Sequence, residues 1–512
     1  MVVGALRDSL ARRAGFRAFR SARRSEAPPK PRDSLARRAG FRAFRSTRRS
    51  EAPPKPRDAA RSARRGARDP RLGWTRTLRR IWPGGCCLVD EVMERRESIS
   101  YAKLYRQWER FSWSATDIDF SRDIVDWREK LDDKQRDALL WNYSLFLVGE
   151  EAVARDLTPV LDAAEGFPES LFLTTQIVDE ARHHVFFDRF VREVAGLGTD
   201  TASTLGAVDS YLTWGFRQVF DELDRVTNAL RRRPTDKALL AQSLALYHVV
   251  VEGMLAIAGQ HFIQRYLEEK AMLPGFFAGI NNVARDESRH VAFGIAFLGD
   301  LVRDSDECRA AAIELWDRVL PWAVGVFIPP NFDRDYTEAF GFTLEEIYAF
   351  GLRSFEMKLG RMGIDPEEVA LLRREDRSLP YEERARRLWV LIEAGILGDD
   401  RREPEPTGEA LEILFDSMTK SIDLDVARSL KGPIEWRFTD GDPWHIVVTN
   451  GHAEAKPGLA GTPALTLETT TSEWAKIAVE RTHPVRSLAG RRLRLRGSLA
   501  AKAKASKLFK LG

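Results

Sequence analysis

The chain has 512 residues, 44% of them hydrophobic, enough for two or three domains with substantial cores. Its formal charge of +4 is uneven: residues 1–80 hold 25 Lys/Arg against 6 Asp/Glu, leaving 55 against 70 for the rest, so the body is acidic at about −15. That balance argues against nucleic acid as the main partner. Cys86, Cys87 and Cys308 supply neither a disulfide framework nor a Cys/His zinc pattern and fit a reducing, cytoplasmic setting, and the lack of any span of about 20 apolar residues predicts no transmembrane helix.

Arg7 to Pro31 recurs as Arg32 to Pro56, with Thr47 in place of Ala22 as the only difference, and a third copy begins at Arg57-Asp58. The unit is rich in Arg, Ser and Pro and offers only Leu10, Phe16 and Phe19 for burial, so it reads as disordered rather than as a solenoid. Its Arg-rich, acid-poor character also mimics a transit peptide. A blander reading places the duplication upstream of the true start, with Met93 opening the functional protein. Residues 1–92 are therefore set apart as a basic, repeat-containing, disordered extension.

From Met93 the texture becomes helical. Leu131-Asp132-Asp133 gives a capping start, after which Leu140, Tyr143, Leu147, Glu150, Ala154 and Leu157 alternate at spacings of three and four. Glu150 therefore points into the apolar face, where a carboxylate needs a metal, a proton or a cationic partner, while Glu151 lies on the solvated flank. Gly166-Phe167-Pro168 breaks the chain, and a second helix carries Leu173, Ile177, Glu180, His183, Phe187 and Phe190 along one side. A longer connection through Trp214 and Arg231-Arg232-Arg233-Pro234 leads to a third helix, in which Glu252 lies within the apolar run from Tyr247 to Leu255 and is buried. After Pro274-Gly275 a fourth helix carries Val283, Ala284, Glu287, His290, Val291 and Gly294. Leu320-Pro321-Trp322 and Ile328-Pro329-Pro330 open further helical segments to about Leu397.

The stretch Asp399 to Pro406 reads as a linker. Beyond it the pattern changes to a short helix around Ala410 to Met418 and strands at Ile434 to Phe438 and Trp444 to Thr449, followed by the hairpin signal Asn450-Gly451. A strand at Ala464 to Glu468, a helix near Ser472 to Val479, a strand at Arg491 to Arg496 and a last helix ending in Lys507-Leu508-Phe509 complete an α+β unit.

The pentapeptide Asp-Glu-x-Arg-His occurs twice, as Asp179 to His183 and as Asp286 to His290. Residues three apart share a helix face, so each Glu-x-x-His pair can aim both side chains at one point. A dinuclear carboxylate centre in a helical bundle needs a Glu from each of two helices and a Glu-x-x-His from each of the other two. Glu150, Glu180, His183, Glu252, Glu287 and His290 supply that set once. A lone Glu-x-x-His reads as ordinary core or surface; two copies, each behind its own buried Glu, point to metal. Carboxylate-rich ligation with one imidazole per metal suits iron or manganese better than zinc or copper.

This order of residues resembles the ferritin-like dimetal-carboxylate superfamily and, within it, the small subunit of ribonucleotide reductase and its relatives. From Met93 to Leu397 the chain looks like the ligand-binding oxidase branch, which assembles a manganese/iron centre, binds a long-chain fatty acid and forms a tyrosine–valine ether crosslink. Glu150 stands where the iron reductases usually use Asp. Phe187 stands where their radical tyrosine is expected, and the reductase's C-terminal docking tail is replaced by a further domain. Val153 and Tyr247 match the positions of the crosslinked pair, residues that would otherwise read as core packing. The resemblance implies one Mn and one Fe (alternatively two Fe), dioxygen, a fatty acid or similar lipidic ligand, a homodimer, and Asp286 accepting the second imidazole N–H of His183. Asp179, Arg182 and Arg289 fit equally a structural ion-pair set.

The C-terminal unit resembles the sterol carrier protein type 2-like fold on Trp436-x-Phe438, Asp442-Pro443-Trp444-His445 and Arg496-Gly497-Ser498; no lipid contact is assigned by spacing. The expected fold is mainly α: a ferritin-like helical bundle with a dinuclear metal site over 93–398, a linker over 399–406 and a smaller α+β lipid-carrier-like domain over 407–512. The expected function is an oxygen-dependent two-electron oxidase with a lipidic ligand. A ribonucleotide reductase small subunit and a non-enzymatic lipid-binding protein are the alternatives.

Overall fold

The computed structural model describes residues 100–505, 507 and 508. The basic repeat, with the disorder expected of residues 1–92, lies outside the described residues.

Nine helices matter for the site and its surroundings: α1 (Tyr101–Arg110), α2 (Asp133–Asp156), α3 (Phe167–Glu193), α4 (Trp214–Arg232), α5 (Lys237–Lys270), α6 (Pro274–Asp304), α7 (Asp306–Ala323), α8 (Leu344–Met362) and α9 (Tyr381–Glu393). The start of α2 is set by a reciprocal cap: the Asp132 side chain accepts the Gln135 N–H, and the Gln135 side chain accepts that of Asp132. Pro168 and Pro274 sit in the first turns of α3 and α6, where a missing N–H is harmless.

Three expectations need correction here. The third helix is not regular throughout, because Ala245–Ala256 in the middle of α5 is a π-helix, a wider winding often found at functional sites. By composition α5 is also long and apolar enough to cross a membrane, although 83% of its apolar window is buried inside the fold, so its place in the core explains its apolarity. Finally, Pro321 does not open a helix; it lies in the last turn of α7, which tolerates it and stops at Ala323.

The C-terminal unit comprises α10 (Gly408–Ser421), β1 (Ile434–Phe438), β2 (Trp444–Thr449), β3 (His452–Pro457), β4 (Leu465–Thr469), α11 (Thr471–Ala478), β5 (Arg494–Gly497) and α12 (Leu499–Ala505). The sheet order is β3-β2-β1-β4-β5, with β1 and β4 parallel and the other pairings antiparallel. Asn450 and Gly451, at φ 52° and 83°, make the β2–β3 turn their sequence announces. β5 starts later than expected because Arg491 takes a left-handed conformation (φ 58°) after an extra short helix, Pro484–Ala489. The sheet packs on α10 through Phe415, stacked on Trp444 at 4.7 Å and set edge-on to Trp436 at 5.2 Å.

The segment between the two units is fastened rather than free. The Glu405 N–H donates to Ala394 O at 2.9 Å, and the Arg481 guanidinium donates to the carbonyls of Gly395 (2.7 Å), Asp400 (2.5 Å) and Arg402 (2.7 Å).

Candidate metal centre

Four helices converge on one buried cluster. α2 contributes Glu150, α3 Glu180 and His183, the π-helical part of α5 Glu252, and α6 Glu287 and His290, and all six are buried. Glu150, Glu180, His183 and Glu287 each offer a ligand atom within 4.8 Å of the others; Glu180, Glu252, Glu287 and His290 form a second such group. Glu180 and Glu287 belong to both groups, the arrangement expected of carboxylates that bridge two ions.

The imidazoles show which atoms face the cluster. His183 Nε2 lies 3.2 Å from Asp286 Oδ2, and His290 Nε2 lies 3.2 Å from Asp179 Oδ2. A carboxylate can only accept, so both Nε2 atoms carry protons, and in its neutral form each ring has its lone pair on Nδ1. Both Nδ1 atoms are buried without a hydrogen-bond partner, as are Glu252 Oε2 and Glu287 Oε2. His183 Nδ1 faces carboxylate oxygens of Glu150, Glu180 and Glu287 at 3.4–3.6 Å, and His290 Nδ1 faces those of Glu180, Glu252 and Glu287 at 3.2–3.7 Å.

The aspartates are exchanged between motifs: Asp286 of the second holds His183 of the first, and Asp179 of the first holds His290 of the second. Asp179, read from sequence only as part of an ion-pair set, thus has both roles. Arg289 ties the two together, donating to Asp179 Oδ2 at 3.0 Å and Asp286 Oδ1 at 2.7 Å, and Arg182 donates to Asp179 Oδ1 at 3.0 Å. Two tryptophans that sequence reasoning missed complete the layer, Trp108 Nε1 donating to Asp179 at 2.9 Å and Trp113 Nε1 to Asp286 at 2.7 Å. A third missed residue is Gln176, one turn before Glu180 on the same face of α3. Its amide donates to Glu252 at 2.9 Å, and its carbonyl oxygen lies 3.1 Å from His248 Nε2. A buried Gln four residues before a candidate ligand was the available signal.

The electrostatics of these donors call for cations. Burial, then the neighbouring Glu180 and Glu287 charges, push Glu150 up to about 8 against the attraction of His183. Burial and Glu287 raise Glu252 well above its ordinary value. Burial alone would lower His183 and His290, but Glu150 and Asp286 for the first, and Glu180 and Asp179 for the second, outweigh it and hold both well above the usual histidine value. Glu287 goes the other way, to about 2, because the two imidazoles outweigh its burial. Left to protons, the cluster neutralises itself by binding them at the atoms aimed at its centre. Two divalent cations satisfy the same donors and release those protons. The residues therefore fit a dimetal site.

Val153 and Tyr247 both line a cavity of about 60 Å³ beside Glu150, Glu180, Glu252 and Glu287. The Tyr247 hydroxyl donates to Glu180 Oε1 at 2.7 Å, and burial, followed by the Glu180 charge, raises the phenol well above its ordinary value. Phe187 is fully buried and stacks on Phe146 at 5.3 Å, so no phenol stands at its position.

Residues 92–316 match the family model of the ribonucleotide reductase small chain, and residues 413–510 match that of the SCP-2 sterol transfer family. The helical part that holds the buried ligand set is thus similar to ribonucleotide reductase small chains, and the α+β unit after it is similar to SCP-2 sterol transfer domains. Among solved structures, the chain is similar to an R2-like ligand-binding oxidase from Sulfolobus acidocaldarius, at 28% identity over 52% of this chain and 93% of that one, with a TM-score of 0.44. A valine-to-leucine variant of an R2-like ligand-binding oxidase with an anaerobically reconstituted Mn/Fe cofactor matches at 24% identity over 55% and 98% of the two chains, with a TM-score of 0.45.

Proposed function

We propose that this chain is an oxygen-dependent oxidase that holds one manganese and one iron and performs a two-electron oxidation beside a bound long-chain fatty acid or similar lipid. Glu150, Glu180, His183, Glu252, Glu287 and His290 would hold the metals, with Asp286 and Asp179 fixing the imidazoles. When bound, the metal pair supplies oxygen activation and redox equivalents. The observation that carries the reading is Tyr247: among the described residues it is the tyrosine whose hydroxyl reaches a cluster carboxylate, and it shares a cavity with Val153.

The remaining chemistry belongs to side chains. Glu180 accepts the Tyr247 hydrogen bond and is placed to take the phenolic proton. Phe146, Phe220, Val251 and Phe327 wall the cavity with apolar surface. Joining Tyr247 Oη to the Val153 β-carbon breaks one O–H and one C–H bond and forms one C–O bond, and two electrons and two protons pass to dioxygen as oxidant. Aerobic loading should therefore leave a protein two hydrogens lighter, with the peptides holding Val153 and Tyr247 fused, and Tyr247→Phe should abolish both changes. An unchanged mass in protein that binds both metals would contradict the crosslink.

The small-chain family match favours a second reading, a reductase subunit that passes a radical to a large subunit. Phe187 opposes it, because a phenyl ring packed on Phe146 cannot be the radical phenol. Adding a reductase large subunit should therefore yield no nucleotide reduction.

A further inference from the structure

Between the helical unit and the C-terminal unit lies a cavity of about 900 Å³, near the top of the range of roughly 300–1,000 Å³ typical of sites that bury small organic ligands. Its walls come from α7, the chain around α9, α10 and the end of α11, with Ile313, Trp322, Leu371, Leu391, Leu414 and Met418 supplying apolar surface. α10 has two apolar sides: Phe415 is spent on the sheet, while Leu414 and Met418 face the cavity.

Most of the guanidiniums along the cavity are already matched to carboxylates. Arg374 pairs with Glu480, Arg384 with Glu375, Arg387 with Asp416, and Arg481 with Asp400. Arg318 pairs with Glu222, and Arg373 donates to the Glu367 carbonyl, so Arg373 is the wall guanidinium held by a carbonyl rather than a carboxylate; the lining suits an apolar body with at most a singly charged head.

Two smaller cavities lie next to it, each separated from its neighbour by shared side chains. Leu371, Glu375 and Leu388 line both this cavity and a smaller one of about 50 Å³, which in turn shares Leu255 and Phe327 with the cavity at the metal cluster. At about 50 and 60 Å³ these inner spaces are too small for a rigid polycycle, so of the lipid classes a linear chain is the one that could extend toward them.

We propose that the cavity between the two units is a binding site for a single long-chain acyl lipid with a neutral or singly charged head, and that it is the outer station of an apolar path to the metal cluster. The cavity stands on its own geometry; the path rests on the lipidic-oxidase reading above.

The test is photolabelling of the full, metal-loaded chain with a diazirine-bearing palmitate, mapped by peptide mass spectrometry. Label should appear on peptides from α10 and from Leu371 to Leu391, and excess unlabelled palmitate should remove it. Ser417 lies half-buried in the cavity wall, so Ser417→Trp fills the space without removing a core side chain. It should lower the cavity label about tenfold, a loss of ~1.4 kcal/mol in binding, and slow labelling near Leu255 while metal content holds. The competition arm uses the native chain and does not depend on that variant folding. Label confined to peptides around Glu150 and Tyr247 would overturn the cavity site and leave the oxidase reading standing. Label nowhere, in protein that still binds both metals, would overturn both the site and the lipidic ligand. Labelling by a photoreactive sterol in preference to palmitate would overturn the acyl assignment.

Discussion

Each imidazole of the cluster is locked by an aspartate from the other pentapeptide, so the two motifs depend on one another. Removing either aspartate frees a ring and lowers its basicity. Asp286→Ala and Asp179→Ala should each weaken metal binding by about 10–100-fold in chelator competition, the usual effect of losing such a partner; affinity equal to wild type would show that the rings are held by packing alone. The same cluster sets a pH dependence. His183, His290, Glu150 and Glu252 all have folded-state values raised above their unfolded ones, so without metal their contribution favours the fold below the unfolded values and is lost as pH rises through the folded ones. Glu287, lowered to about 2, is already ionised throughout that range. Metals replace these protons, so the gap in thermal midpoint between loaded and metal-free protein should widen from about pH 5 to pH 8. A gap that narrows over this range would contradict the proton-for-metal exchange.

At the scale of elements, regular periodicity carried much of the reading. The three-and-four spacing placed Glu150, Glu180, His183, Glu287 and His290 on inward faces, and Asp132 and Asn450-Gly451 marked a helix start and a hairpin. What spacing could not reveal was which helix faces which. The partners of Asp179 and Asp286 lie on other helices, and Trp108 and Trp113 reach their aspartates from 71 and 173 residues away. The π-helical winding around Glu252 was equally hidden, because an apolar run has no phase to read. That winding is packed tightly against α6: a Cβ built on Gly294 would sit 2.2 Å from His248 Cβ and Cγ. Gly294→Ala should therefore cost about 1–3 kcal/mol in denaturant unfolding and loosen the contact between His248 and Gln176. A neutral substitution would mean that the π segment can slide away.

For the whole molecule, the C-terminal unit is held to the bundle by a few concentrated contacts. Arg481, nearly buried, donates to three carbonyls, and Lys476 pairs with Glu403. Arg481→Ala leaves those carbonyls short of a donor, at roughly 1–3 kcal/mol, and should split calorimetric unfolding into two transitions with the bundle's own midpoint unchanged. A single transition would show that apolar contact alone couples the units. Whether the cluster holds two metals is decided by elemental analysis of the purified full chain beside Glu180→Ala, which removes a carboxylate common to both groups of donors. One manganese and one iron per chain are expected, both lost in the variant. A chain that binds no metal even after anaerobic reconstitution, or one that keeps both metals without Glu180, would contradict that expectation.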